Sequence, residues 1–263
     1  MSAPGERVSR SWVRVAAVAG RRAAHLWGVV LIVVVWQAWV SVHHYNVIVM
    51  PPPAAVVSEL LHNPGVYASH LAFTLILALL GLALGMALGI VLAVLVWASP
   101  LLSGVSAPMA LLLQAVPVVA LIPVIARLLG YNDLTELAIT SVVCFFPAFV
   151  FAGSGLRRPP PGSADVLAVL GASRFRRLRM LLLPGSVPDL LVALRISAPL
   201  SVLAALLGEF LMGTNGLGYF IALATSELQT VSSWAAAILA TIASVAFFRA
   251  ASRLEALGLA RWT

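Results

Sequence analysis

Residues 69–97 read SHLAFTLILALLGLALGMALGIVLAVLVW, without a single Asp, Glu, Lys or Arg. A helix crosses the hydrocarbon core of a bilayer with about 20 apolar residues. This run spans it with length left for tilt or for projection beyond the membrane. It is apolar on every side, as a helix in lipid must be. Working outward, five further long apolar runs, with at most two charged residues each, occupy 23–42, 104–129, 134–153, 190–212 and 232–250. The composition agrees: 62% of the 263 residues are hydrophobic and 10% charged, against roughly 25% charged in a soluble domain. The expected fold class is an all-α integral membrane protein with about six transmembrane helices.

Charge fixes the expected orientation. The chain carries sixteen Arg and no Lys against nine acids. Arg7, Arg10, Arg14, Arg21 and Arg22 precede the first run, Arg157, Arg158, Arg174, Arg176, Arg177 and Arg179 fill the 154–189 connection, and Arg249, Arg253 and Arg261 lie at the end. The 43–68 and 213–231 connections hold no Arg. Alternating sides gathers fourteen of the sixteen on one face, which marks it as cytoplasmic and puts both termini inside. The expected organisation is an Arg-rich cytoplasmic tail, 1–22, and a membrane domain, 23–263. The first run follows basic residues as a signal peptide does, but it is long enough to span. It continues as His43-His44-Tyr45-Asn46 without a small-x-small cleavage site, so a retained helix is expected.

The same residues exclude several chemistries. Arg set between apolar runs does not resemble the solvated basic face of a nucleic-acid binder. A phosphate-binding P-loop needs a Lys, so any ATP-driven work belongs to a partner chain. Cys144 is alone in the sequence and reads as a buried small hydrophobe. His25, His43, His44, His62 and His70 have no carboxylate or Cys at ligand spacing, so no metal site is expected. No Ser/His/Asp set suggests an enzyme.

Three features within the apolar runs have two readings each. Gly81, Gly85 and Gly89 form a small-residue stripe for close helix approach, either within the chain or at a subunit interface. Pro108, Pro117 and Pro123 bend or break the third run, either as a lining of a pathway or as a plain bend. Gln114 and Glu209 are polar residues in lipid-length runs, where such groups are costly and often functional. Each serves either a pathway or gate, or packing between helices.

The 154–189 connection is structured. Arg157-Arg158-Pro159-Pro160-Pro161-Gly162 cannot be helix. Ser163 stands where an N-cap would, Asp165 lies in the first turn beside the positive helix end, and Gly171 suits a left-handed stop. A second, basic stretch runs from Ser173 to Leu183, with Pro184-Gly185 expected to break it. Two short helices about a glycine hinge make a rigid knob, able to transmit force to a docked partner or to lie on anionic headgroups.

Asp165-Val-Leu-Ala-Val-Leu-Gly171-Ala-Ser-Arg174 followed by Leu183-Pro184 resembles the EAA loop of ABC importer permeases. The resemblance extends along residues 50 to 262 through Met50-Pro51-Pro52-Pro53, Val116-Pro117 with Leu121-Ile122-Pro123, Pro188 with Ala193-Leu194-Arg195, Gly208-Glu209-Phe210, and Gly216-Leu217-Gly218-Tyr219-Phe220-Ile221. It is closest to the nitrate/taurine/alkanesulfonate branch. The resemblance implies a multi-pass bacterial inner-membrane subunit that forms the pathway for a small solute. It also implies two copies of an ATPase subunit that hold ATP and Mg, a second permease subunit (identical or a sister chain) and an extracytoplasmic binding protein. It assigns ATPase coupling to Asp165, Leu167, Gly171, Ala172, Ser173, Arg174, Leu183 and Pro184. Gln114, Pro117, Glu209, Gly216 and Gly218 fall where a pathway or gate is expected. The chain departs from the family pattern in carrying Asp165 for Glu, Leu167 for a small residue and Ala168 for Arg. A stand-alone secondary carrier or channel is the rival reading; such carriers often show inverted repeats, and none is evident here.

Overall fold

The computed structural model describes residues 27–99, 101–102, 117–159 and 161–260. Gln114, Pro108, the 1–22 tail and Arg261 lie outside them. The described residues form helices: α1 Trp27–His43, α2 Pro53–His62, α3 Pro64–Ala98, α4 Val118–Leu129, α5 Asp133–Leu156, α6 Ser163–Val169, α7 Arg174–Arg177, α8 Leu183–Gly185, α9 Val187–Met212, α10 Gly216–Ser226 and α11 Thr230–Leu259, with a π turn, Leu178–Leu182, between α7 and α8. Four of them, α3, α5, α9 and α11, are long and apolar enough to cross a membrane. The first and third expected spans run into residues that are not described, and α1 and α4 are their described parts. At 35 residues, α3 is about 52 Å long at 1.5 Å per residue, well beyond a bilayer core of about 30 Å.

The connections at 43–68 and 213–231 contain helices that the apolar runs do not reveal. Pro53 begins α2 and Pro64 begins α3 at the first helical position, where a missing N–H costs nothing and the fixed φ is already helical. The polar side of α2 is held by Glu59, whose Oε1 accepts from Asn63 Nδ2 at 3.1 Å, Tyr67 Oη at 3.1 Å and Ser232 Oγ at 3.2 Å. One carboxylate thus ties α2 to α3 and α11. Stacked Trp36 and Trp234, 5.1 Å between ring centroids, seat α1 on α11.

The centre of the fold is the seam between α3 and α5. A Cβ at Gly81 would strike the Thr140 side chain. One at Gly85 would strike the Ser141 carbonyl and lie 2.7 Å from Cys144 Cβ. One at Gly89 would lie 2.7 Å from the Phe145 carbonyl and 2.8 Å from Ala148 Cβ. The glycine stripe is therefore spent inside the chain, which decides between its two readings. Against the other side of α5 packs α9, where Cys144 is fully buried and its Sγ faces the Ser197 carbonyl at 3.8 Å. Pro199 lies within α9, and Ser244 Oγ of α11 donates to its carbonyl at 3.4 Å.

Candidate functional site: a docking knob and a buried carboxylate latch

The 154–189 connection folds as two short helices about Gly171. Gly162 has φ +75 and its carbonyl accepts from Val166 N, so the cap position is Gly162, and Ser163 is the first helical residue rather than the N-cap. Gly171 adopts φ +67, and Ala172 N donates to the Leu167 carbonyl at 2.9 Å. That six-to-one bond across a left-handed residue is a Schellman stop, and it sets Leu167 and Ala172 within the hinge itself. Ser173 restarts the chain as a helix, its side chain accepting from Arg176 N. Asp165, Ser173, Arg174, Arg176 and Arg179 are exposed.

Pro184 does not break the second helix. The chain stays helical from Arg174 through Gly185, and the Leu178–Leu182 π turn lies directly ahead of the proline, with Leu183 N bonded to the Leu178 carbonyl five residues back. Widening by one residue relieves the missing donor and ring clash that Pro184 brings to a regular ladder. It also turns Leu178 and Leu182 inward, where they are buried against Ala93 and Val96 of α3 and Phe149, Ala152 and Leu156 of α5. The knob thus stands on the ends of the central seam. Leu178→Ala is expected to cost about 2–5 kcal/mol at this contact. The check is limited trypsin digestion of the intact protein: cleavage after Arg174, Arg176, Arg177 and Arg179 should speed up relative to cleavage elsewhere.

On its outer surface the knob is apolar where water should touch it. Val169 is 89% exposed, Leu170 72% and Phe175 70%, with Val166 beside them. A patch of this kind rimmed by charge marks an interaction surface.

The second cluster lies where α9 gives way to α10. Gly216 begins α10 with φ +91, and three side chains satisfy the first three amides of that helix. Asn215 Oδ1 accepts from Gly216 N at 2.8 Å, Thr74 Oγ1 from Leu217 N at 2.9 Å, and Glu209 Oε2 from Gly218 N at 2.8 Å. The Thr74 hydroxyl proton is shared between Glu209 Oε2 at 2.9 Å and the His70 carbonyl at 3.1 Å. Glu209 and Thr74 are fully buried. A carboxylate at a helix N-terminus faces its positive end, and orphan amides in lipid need such partners. Gly216 and Gly218 are required sterically: a Cβ at 216 would strike the Glu209 carboxyl group, and one at 218 would lie 2.7 Å from Glu209 Cβ and 2.8 Å from Phe210 N.

Glu209, Gly216 and Gly218, expected from the sequence, therefore meet in one place. Pro117 does not join them; it caps α4. Sequence reasoning missed Thr74, Asn215 and Glu136. Glu136 falls inside the 134–153 run without being singled out, yet it is 1% exposed on α5 and lies against Gly208, its Cγ 3.5 Å from where a Cβ at 208 would stand. The signal was its place as an acid within a lipid-length run, where such groups are costly; Asn132 accepts from Thr135 N as the N-cap of that helix. Among the described residues no group of three or more His, Cys, Asp or Glu could hold a metal ion.

Comparison with known proteins joins these features. Residues 85–257 match the binding-protein-dependent transport system inner membrane component family. The chain is 31% identical over 234 residues to the riboflavin transport system permease protein RibX of Chloroflexus aurantiacus, covering 88% of this chain and 87% of that one. It is 26% identical over 224 residues to the taurine transport system permease protein TauC of Escherichia coli, covering 82% and 81%. The fold superposes on the crystal structure of an amino acid ABC transporter with histidines at a TM-score of 0.62 and 16% identity, over 76% of this chain and 96% of that one. A bundle of long apolar helices with a glycine-hinged knob, matched over this length, belongs to the binding-protein-dependent transport inner-membrane family, in its nitrate, taurine and alkanesulfonate branch.

Proposed function

We propose that this permease forms, with a second permease subunit, the pathway of an ATP-driven importer for a small solute, and that the α6–α7 knob is the handle through which separate ATPase subunits drive it. The observation that carries this reading is the knob itself. It is a short element stopped by Gly171, anchored by Leu178 and Leu182 on the ends of α3 and α5, and apolar outward at Val166, Val169, Leu170 and Phe175. Its contacts are set to pass a push from the outer patch to the central seam. The Arg distribution supports a cytoplasmic position for the knob and both termini, in a bacterial inner membrane.

In this reading Asp165, Leu167, Gly171, Ala172, Ser173, Arg174, Leu183 and Pro184 build or brace the handle. The chain binds no cofactor. With no Lys it cannot form a P-loop, so ATP and Mg belong to the motor subunits. Relatives named for taurine and riboflavin support a small anionic solute, or a vitamin or its precursor, delivered by an extracytoplasmic binding protein. Pro117, Glu209, Gly216 and Gly218, with Gln114 outside the described residues, would line or brace the pathway.

The experiment is copurification. Val169→Asp puts a charge at the centre of the apolar patch while leaving the Schellman stop and the buried anchors untouched. Extracted with its ATPase partner, the variant should lose at least tenfold in retained ATPase, with its own yield unchanged. Retention at the unaltered level, or ATPase-independent uptake of solute, would overturn the reading.

A further inference from the structure

Of the four membrane-length helices α11 is the least enclosed: 22% of its most apolar stretch is buried in the fold, against 33% to 39% for α3, α5 and α9. In its second half the buried side is formed by Ala240, Ala243, Ala251 and Glu255. At 3.6 residues per turn, Ile242, Val245, Arg249 and Arg253 fall together on the opposite side, and all four are exposed. Two apolar side chains thus lead up to two guanidinium groups one turn apart.

Neither cation is matched within the fold. Glu255 is the only acid in α11. It lies on the other side of the helix from Arg253 and pairs with Arg195 of α9 at 2.9 Å. Among the described residues the side chains of Arg249 and Arg253 have no ion-pair or hydrogen-bond partner.

Their depth narrows what can reach them. The first turn of α11 is polar: Thr230 Oγ1 donates to the Ile48 carbonyl, Ser232 Oγ to Glu59, and Ser233 shares a hydrogen bond with Thr225. Counting from Ser233, the helix rises about 24 Å to Arg249 and about 30 Å to Arg253 at 1.5 Å per residue. Against a hydrocarbon core of about 30 Å, Arg253 stands at the far boundary and Arg249 one turn inside it. An unpaired charge there is costly, and a soluble partner docked beyond the headgroups does not reach it. The anions available at that depth are lipid phosphates. A guanidinium fork donates to phosphate oxygens in pairs, and Val245 and Ile242 continue the same face toward the acyl chains.

We propose that this face of α11 binds one phospholipid of net negative charge, its phosphate held by Arg249 and Arg253 and an acyl chain lying along Val245 and Ile242. Two cations without an acid between them select an anionic headgroup over a zwitterionic one, whose own cation they repel. The lipid and the Arg195–Glu255 pair then hold this end of α11 from opposite sides. The inference rests on the membrane-spanning fold and not on the transport reading.

The test is native mass spectrometry of the full chain in detergent, titrated with phosphatidylglycerol or with phosphatidylcholine of the same acyl chains. The wild type is expected to bind its first phosphatidylglycerol at least fivefold more tightly than its first phosphatidylcholine. Arg249→Gln combined with Arg253→Gln should abolish that preference. Arg174→Gln combined with Arg176→Gln, which removes the same charge from the knob, should preserve it. Equal binding of the two lipids by the wild type overturns the proposal. So does a preference that survives in the α11 variant, or one lost equally in the knob variant. Should the α11 variant not fold, hydrogen exchange on the wild type decides. The amides of residues 250–259 should exchange at least fivefold more slowly in phosphatidylglycerol nanodiscs than in phosphatidylcholine nanodiscs, and equal rates overturn the proposal. A disulfide between two copies of Arg253→Cys would put protein rather than lipid on this face, and would overturn it as well.

Discussion

Gly85→Leu is expected to abolish folding of the membrane domain. Gly85 sits where α3 lies against the backbone of α5, and its missing Cβ would already strike the Ser141 carbonyl and approach Cys144 Cβ at 2.7 Å and Phe145 N at 2.9 Å. These are backbone atoms and a side-chain root, which cannot rotate away. One added methyl group in such a seam costs about 1–3 kcal/mol, and a leucine adds three more carbons on the same line. Native stabilities of roughly 5–15 kcal/mol leave little reserve, and Gly81 and Gly89 fix the same approach one turn to either side. The molecule supplies its own reporter, because Cys144 is the single Cys and is fully buried. A thiol-reactive fluorophore should label Gly85→Leu at temperatures where the wild type is inert, and Gly85→Ala should show an intermediate midpoint. Gly153→Ala is the control: nothing lies within 4 Å of its Cβ position. Helix propensity alone should make it neutral or stabilising by about 0.5–1 kcal/mol. Equal labelling of all three variants would mean that the seam is not close-packed.

The same seam shows what one sequence discloses. Spacing of four between glycines announces a close helix contact, because it follows from local periodicity. Whether the contact is internal or between subunits depends on Thr140, Ser141, Phe145 and Ala148, more than fifty residues away, and no periodicity carries that. Gly171 was legible as a stop because the Schellman geometry is local, whereas the π turn beside Pro184 was not. Its widening depends on where Leu178 and Leu182 find burial as much as on the proline. The short helices α2 and α10 escaped a search for bilayer-length runs, since both have only ten or eleven residues between polar connections. Glu209 stood out as an acid in an apolar run, and with Gly216 and Gly218 through resemblance. Thr74, the residue that joins them to α3, lies 135 positions before Glu209 in a run that reads as uniformly apolar.

Glu209→Ala is expected to be the most damaging single polar deletion in the chain. It removes the acceptor for Gly218 N and for the Thr74 hydroxyl, both buried, and leaves a cavity under the first turn of α10. Gly218 N is stranded at a cost of about 1–3 kcal/mol, the Thr74 hydroxyl keeps only the His70 carbonyl, and the cavity left by the side chain adds to the loss. In lipid no bulk water can replace the lost acceptor. Thr74→Val strands Leu217 N but leaves Glu209 bonded to Gly218, so its expected cost is about 1–3 kcal/mol. Because the two side chains bond to each other as well as to α10, the double variant should fall short of additivity, with a coupling of about 0.5–3 kcal/mol. Glu209→Gln keeps an oxygen for Gly218 N and should lose far less than the alanine, which separates loss of a hydrogen-bonded latch from loss of charge. Labelling of Cys144 on heating ranks the four proteins, and hydrogen exchange at Leu217 and Gly218 localises the effect. Protection of those amides should vanish in Glu209→Ala while the amides of α11 stay protected. If they exchange no faster in the alanine variant than in the wild type, the carboxylate does not hold α10, and the break between α9 and α10 must be fixed by the packing of Leu217 alone.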